Sequence, residues 1–355
     1  MSTQPIRVGV IGAGGISHIH LRTLTALPDV KVIAIADVMR SNAQTRADQF
    51  HIPSVFEDYH DLLSLDEIEA VHVCTFNQAH QAPTVAALQA GKHVLVEKPM
   101  AATLADATLM VRTARQTGKL LMCALKTRYS DDIMAAKRII DSGDLGGIYY
   151  AETVAARRRG IPGGSFVRQG SAGLGATADI GVYALDTALH LMGHPTPVAV
   201  SAITTDVIGK SHQPPAGSGW RWSADALEVE EFGVAWIRFA NGAVLVLKTT
   251  WAMHLDDIGS TFFLGPKAGL RLTPELKVYR DEWGTLVDVA PQVKPTPDVE
   301  LFRREIEAFY QAIRQGQPAP IAPEGVLLTN VIIDGMIASA KQGGREVAVA
   351  VPTLD

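Results

Sequence analysis

IRVGVIGAGGIS, residues 6–17, carries an apolar strand pattern into Gly12, Gly14 and Gly15, then gives way to the helical period of HIHLRTLTAL (18–27). Gly12 permits the tight turn that ends the strand. Gly14 lets backbone N–H groups approach a diphosphate at the start of the helix, with Gly15 and Ile16 completing the turn. The third position of this dinucleotide fingerprint is Ser17 instead of Gly or Ala, still small enough for close helix packing. A Gly-x-Gly alone marks no more than a strand–helix turn. Here it is answered by Asp37, at the end of the second strand pattern VKVIAIAD (30–37), about 20 residues on. An acidic residue there bonds both ribose hydroxyls and repels a 2′-phosphate. Asp37, followed by Val38, therefore favours NAD, while Arg40 one turn later leaves room for NADP.

Working outward, further strand patterns lie at 70–76 (AVHVCTF), 92–98 (KHVLVEK) and 119–125 (KLLMCAL), separated by helical stretches at 80–91 and 103–118 that stop on Gly91 and Gly118. Continuous Val/Ile/Leu strands alternating with helices mean a parallel sheet covered on both faces, a doubly wound α/β layout over residues 1–126. After residue 126 the pattern changes. A helix at 131–142 and a strand at 148–156 precede the Gly-rich GIPGGSFVRQGSAGLG (160–175) and the helical DIGVYALDTALHLMG (179–193). Strand patterns then follow one another at 197–206, 229–239, 243–253, 260–266 and 278–281, with a hairpin signal at Ala240-Asn241-Gly242. Residues 127–355 thus read as a second, α+β domain with a mainly antiparallel sheet, closed by helices at 298–315 and 324–342.

The bulk properties exclude several classes. The 355 residues are enough for two cores, since single cores stop growing at about 250–300 residues. A net charge of −5, with Arg157-Arg158-Arg159 as an isolated basic run, argues against nucleic acid as a partner. No apolar run approaches the roughly 20 residues that cross a bilayer, and the chain enters its first strand without a charged leader or apolar signal region. Cys74 and Cys123 sit in apolar strand contexts and read as reduced core thiols. A cytoplasmic protein is expected. The eleven histidines show no ligand spacing, so no metal is expected.

Two places carry chemistry. Lys98 ends the strand KHVLVEK, and ligands of open parallel sheets bind outside the carboxyl ends of strands; the competing reading is a surface ion pair. Asp179, Tyr183, Asp186 and His190 recur at spacings of four, three and four, which puts them on one face of a helix. The opposite face (Ile180, Val182, Leu185, Leu189) is apolar, so the polar stripe either faces a cleft or simply faces water. The loop KSHQPPAGSGWRW (210–222) offers Trp220 and Trp222 as pocket candidates, while Trp251 reads as core. Arg157, Arg158 and Arg168 flank the Gly-rich loop and read equally as binders of an anionic or hydroxylated group or as a solvated face.

With these residues placed, the chain resembles the Gfo/Idh/MocA family of oxidoreductases over essentially its whole length. The landmarks are GAGGIS with His20 after it, CTFNQAH (74–80), AGKHVLVEKP (90–99), TRYS (127–130), DSGDLGGI (141–148), DIGVYALD (179–186) and IASAKQGGREV (337–347). The resemblance implies an N-terminal Rossmann domain and a C-terminal α+β domain with a large open sheet, often used to form oligomers. It implies that Thr75, Phe76, Asn77 and His80 border the cofactor's ribose and nicotinamide, with Glu97 and Lys98 alongside. Many members have Pro where this chain has Phe76, so the turn differs there. The family's catalytic set maps onto Lys98, Asp179 and the residue four beyond, frequently His and here Tyr183. Substrates are mostly cyclic polyols, aldoses, glycosides and sugar nucleotides.

The expected activity is interconversion of a secondary hydroxyl and a ketone on a sugar, glycoside or inositol-like polyol. A tyrosine hydroxyl, with reference pKa near 10, becomes a usable base beside an ammonium group. Tyr183 is therefore the expected acid/base with Lys98 as its partner, Asp179 as an orienting group, and Asp186, Arg168 and Trp220 as substrate contacts. His190 or water is the alternative proton acceptor. An NAD-binding sensor without turnover and a glycoside-cleaving enzyme using transient oxidation are the alternative readings. A homo-oligomer, dimer or tetramer, is expected.

Overall fold

In a computed structural model residues 4–355 are described; residues 1–3, which the sequence reading counts into the first domain, lie outside them. The described residues divide into two compact units, one of residues 4–126, 297–327 and 353–355, the other of 127–296 and 328–352.

The first unit is a six-stranded parallel sheet in the order β3-β2-β1-β4-β5-β6. Its strands are β1 (Ile6–Ile11), β2 (Val30–Ala36), β3 (Ser54–Phe56), β4 (Ala70–Val73), β5 (His93–Val96) and β6 (Leu121–Cys123). The intervening helices are α1 (Gly15–Ala26), α2 (Arg40–Phe50), α3 (Tyr59–Leu63), α4 (Gln81–Gln89) and α5 (Leu104–Thr117). The strands read as continuous apolar runs because both sides are covered: Val8, Val71, Val94 and Leu95 have no exposed surface. Local signals set the helix ends. Thr103 caps α5 by accepting from the Asp106 N–H at 3.1 Å, and Gly118 closes it in the left-handed region at φ 66°. The order reverses between β1 and β4, which leaves a crevice at their carboxyl ends.

The second unit contains α6 (Asp131–Asp141), β7 (Tyr150–Ala156), α7 (Gln169–Ala172), α8 (Ala176–Asp179), α9 (Gly181–Leu191), β8 (Pro197–Thr205), α10 (Val207–Ser211), β9 (Phe232–Phe239), β10 (Val244–Thr250), β11 (Phe262–Leu264), β12 (Ala268–Arg271), β13 (Lys277–Glu282) and β14 (Thr285–Val289). Beyond these come α11 (Asp298–Gln315), α12 (Pro323–Lys341) and β15 (Val347–Ala348). Nine strands form one sheet in the order β14-β13-β12-β11-β7-β10-β9-β8-β15. It is antiparallel except for the β7–β10 pair, which is parallel. Leu185, Leu189, Ile237, Leu245, Leu247 and Phe263 pack the covered side of the sheet. The other side presents Tyr150, Trp236 and Phe262, with ring centroids 6.3 and 6.0 Å apart, and Trp236 is 45% exposed.

Two expectations are corrected. The second domain does not run from 127 to the end, since α11 belongs to the first unit. It buries Phe302, Ile306, Phe309 and Tyr310 there, and Arg314 pairs with Asp29 at 3.0 Å. Nothing in an amphipathic pattern says which core it covers. The stretch from 179 to 193 is also not one helix. Asp179 ends the single turn α8, and Ile180 stands between it and α9. No helix among the described residues is long and apolar enough to cross a membrane.

Candidate active site

At the end of β1 the chain turns at Gly12, whose φ is 95°. A Cβ there would lie 2.6 Å from the Cys74 carbonyl oxygen, so only glycine fits. Gly14 and Gly15 are exposed with nothing within 4 Å of an added Cβ, and no side chain caps the first N–H groups of α1. This is a backbone cradle facing open space at a helix N-terminus, which fits the diphosphate of a dinucleotide. Ser17 shapes it from below: it is fully buried, and its hydroxyl donates to the Gly14 carbonyl at 2.7 Å. The Asp37 carboxylate accepts from the Ala13 N–H (2.7 Å) and the Met39 N–H (2.8 Å), so its oxygens are fixed beside the turn. Each retains acceptor capacity for a ribose hydroxyl. Val38 is 78% exposed beside it, while Arg40 donates to the Val55 carbonyl at 3.2 Å. The sequence reading missed Arg46, whose guanidinium donates to the Gly14 carbonyl at 3.1 Å. No local motif distinguishes it from Arg40, the other arginine of α2.

After β4 and β5 the expected cofactor neighbours separate into two groups. Thr75 and Asn77 are half-buried and Phe76 is 48% exposed, in a short turn closed by the Thr75 hydroxyl donating to the Ala79 carbonyl at 2.9 Å. His80 has no exposed surface, and its ring nitrogens meet the Pro99 and Thr75 carbonyls at 2.8 and 3.2 Å. It braces the two loops. Glu97 also turns inward, bonded to His20 at 2.7 Å and to the Lys98 N–H at 3.1 Å. Burial works against its charge, but His20 and Lys98 outweigh it and hold the carboxyl below its ordinary value. Lys98 is half-buried at the strand end.

In the second unit Asp179 is nearly buried. Its Oδ2 accepts from the indole N–H of Trp251 at 2.9 Å and lies 3.8 Å from Arg157 Nη1. Trp251 is fully buried, as expected of a core residue. Tyr183 is half-buried on the first turn of α9. Asp186 does not continue a polar stripe. It has no exposed surface, and both oxygens accept from Arg128, at 2.8 and 2.6 Å, so neither is presented to a hydroxyl. Arg128 pairs with Asp186 inside the unit, and Asp179 lies in α8 before the break at Ile180, so the four residues do not form one polar stripe on one helix. His190 is half-buried and held down to about 4, first by burial and then by Arg128.

Arg157 links Asp179 to the loop beyond. Its guanidinium carbon lies 5.2 Å from the Trp220 ring centroid, and Nη1 donates to the Gly160 carbonyl at 3.1 Å. Past Trp220 opens a pocket of about 510 Å³, walled by Arg168, Gln213, Trp220, Arg221 and Ser223 among others. Trp222, expected beside Trp220, lines the same pocket, though it is only 5% exposed and most of it packs into the small core around Trp251. Arg168 lines the pocket while paired with Glu228 at 2.9 Å. No cluster of three or more His, Cys, Asp or Glu side chains fit to hold a metal occurs among the described residues.

Residues 6–125 match the family model described as oxidoreductase family, NAD-binding Rossmann fold, and residues 133–271 match the GFO/IDH/MocA C-terminal domain. The chain belongs to the Gfo/Idh/MocA oxidoreductase family. As a member it is an NAD(P)-dependent oxidoreductase acting on CH–OH groups, with NAD as cofactor. A D-glucoside 3-dehydrogenase of Escherichia coli (strain K12) is 33% identical over 350 residues, spanning 97% of this chain and 98% of that relative. An inositol 2-dehydrogenase of Salmonella typhimurium is 35% identical over 144 residues, 40% of this chain and 43% of that relative. Among solved structures, levoglucosan dehydrogenase in complex with NADH and L-sorbose aligns with a TM-score of 0.82 at 24% identity, covering 99% of this chain and 100% of that one. This family member shares that fold.

Proposed function

We propose that the protein oxidises a ring hydroxyl of a glucoside, reversibly, to the corresponding keto-glucoside. The observation that carries this reading is the continuity from Asp179 through Arg157 to Trp220 within one unit, with a roomy polar and aromatic pocket beyond. A sugar ring beside Asp179 would leave its aglycone, or a second ring, the pocket of Trp220, Arg168 and Gln213. Indole faces and guanidinium forks suit that task, stacking on one side and donating to hydroxyls on the other. The full-length relative, named for the 3-position of D-glucosides, supports the substrate class and the carbon.

The chemistry that NAD supplies is acceptance of a hydride from the carbinol carbon. Gly14, Gly15 and Ile16 would hold its diphosphate, Asp37 its ribose, and Thr75, Phe76 and Asn77 its nicotinamide half. Tyr183 takes the hydroxyl proton at its phenolic oxygen, Lys98 stabilises the developing charge, and Asp179 orients the sugar. The open face of Tyr150, Trp236 and Phe262 is the proposed contact with a second copy.

The test is incubation of the purified protein with NAD and methyl glucosides, aryl glucosides, free aldoses and inositols, with products identified by NMR. A keto-glucoside with the glycosidic bond intact is the expected product. Turnover of inositols with none of glucosides would overturn the substrate class, and release of free aglycone would assign transient oxidation.

A further inference from the structure

The first unit hides a row of polar groups that the reaction as proposed leaves unused. Glu97 Oε1 meets His20 Nε2 at 2.7 Å, His20 Nδ1 meets His72 Nδ1 at 2.8 Å, and His72 Nε2 meets the Tyr310 hydroxyl at 2.7 Å. Both imidazoles have no exposed surface, Tyr310 is 2% exposed and Glu97 5%. The row ties four elements together: α1, which carries the diphosphate turn; β4; the end of β5; and α11. Its outer end is the other oxygen of Glu97, which accepts from the backbone N–H of Lys98 at 3.1 Å.

We infer that His20 is a positioning residue for Lys98, acting through the Glu97 carboxylate. This rests on the role proposed above for Lys98. A buried carboxylate without a donor would swing or lose its charge, because the interior offers no water to replace a lost hydrogen bond. With Glu97 ionised, His20 Nε2–H fixes Oε1, and the fixed carboxylate leaves Oε2 aimed at the Lys98 N–H. His72 then satisfies the far nitrogen of His20 and is itself held by the Tyr310 hydroxyl, so the imidazole cannot rotate away. Burial disfavours the imidazolium of His20, but Cys74 and Glu97 outweigh it and carry the group well above its ordinary value, while burial and His20 push His72 well below. Both directions agree with one charge pair at the Glu97 end of the row. Glu305, also without exposed surface, adds a second acid behind it, and burial followed by the Glu97 charge holds it well above the usual carboxyl range. The geometry leaves Glu97 as the acceptor that His20 serves.

The test compares His20→Leu, which removes the donor, with His20→Gln, whose amide reaches the position of Nε2. Displacing a reacting group by a fraction of an ångström to an ångström costs on the order of 10²-fold. The expected result for His20→Leu is therefore a kcat down about 30-fold with the sugar KM within about threefold, and recovery to within about fivefold of the wild type in His20→Gln. In the cofactor-free protein, the Lys98 amide proton should move upfield in His20→Leu and return in His20→Gln. A wild-type kcat in His20→Leu, or a His20→Gln no better than His20→Leu, overturns the inference. If His20→Leu does not fold, Glu97→Gln carries the test at equal volume; an unchanged kcat and Lys98 amide shift there overturn it equally. Lys98→Ala separates the two ideas. Full activity in Lys98→Ala removes the proposed role of Lys98, whereas an inactive Lys98→Ala beside a fully active His20→Leu removes only the positioning.

Discussion

The indole N–H of Trp251 is spent on Asp179: the bond to Oδ2 is 2.9 Å, from a side chain with no exposed surface at the end of β10. A rigid core residue thus aims a carboxylate that the sequence places among the reacting groups. Trp251→Phe keeps most of the packing and deletes the donor. A hydrogen bond to a charged group is worth about 1.5–3 kcal/mol, so kcat should fall about tenfold or more through loss of orientation. Steady-state kinetics with a glucoside checks this; an unchanged kcat would mean that Asp179 is oriented without the Trp251 donor.

Lys98→Ala should abolish turnover while leaving NAD affinity largely intact, and Tyr183→Phe should lower kcat at least about 100-fold if the phenol moves the proton. Fluorescence titration with NADH separates binding from chemistry in both variants. A near-normal rate in Tyr183→Phe moves the acid/base role to His190 or to water.

Asp37 sits with both oxygens oriented by the Ala13 and Met39 N–H groups. Asp37→Ala should weaken NAD by about tenfold, the scale of two lost hydrogen bonds of modest net strength, and narrow the discrimination against NADP. Paired titrations with NADH and NADPH read both effects. Equal losses for the two cofactors would take ribose recognition away from this carboxylate.

Arg128 and Asp186 form a bidentate pair with essentially no exposure. Removing one partner of such a pair leaves a buried charge alone, which costs about 3–5 kcal/mol. Arg128→Leu should therefore lower the urea midpoint sharply, and Asp186→Asn less so because the amide still bonds. In protein that remains folded, the sugar KM of Asp186→Asn should match the wild type. A raised KM without a stability loss would restore Asp186 to the substrate.

His190 has a folded pKa of about 4 against about 6.5 for an unperturbed imidazole. Between those values the unfolded chain binds the extra proton and the folded chain does not, so this residue's contribution to stability is lost as pH falls from about 6.5 toward 4. His190→Gln lacks that loss. The difference in thermal midpoint between wild type and His190→Gln should shift against the wild type on acidification; a pH-independent difference would show that His190 is solvated in the folded state.

The fold and the nucleotide turn were legible because their causes are local. A strand running into Gly12-Ala13-Gly14-Gly15 has few backbone options, and Gly118 or Asn241-Gly242 stop helices and turn hairpins through their own φ preferences. Strand order, the parallel contact of β7 with β10, and the short strands β12, β14 and β15 depend on partners far along the chain, which periodicity does not record.

For the site, sequence alone determined which residue types stand at the strand ends and at the head of α9, since Lys98 follows a buried strand and Asp179 and Tyr183 keep a four-residue spacing. Only tertiary structure decided which of those polar groups face outward. Asp186 and His80 have helix and loop positions as promising as their neighbours, yet Arg128 and the Pro99 carbonyl claim them, because a buried polar group must find its partner wherever packing supplies one. Apolar burial drew α11 onto the first unit, and the same polar rule brought Tyr310 to His72, 238 residues apart in sequence.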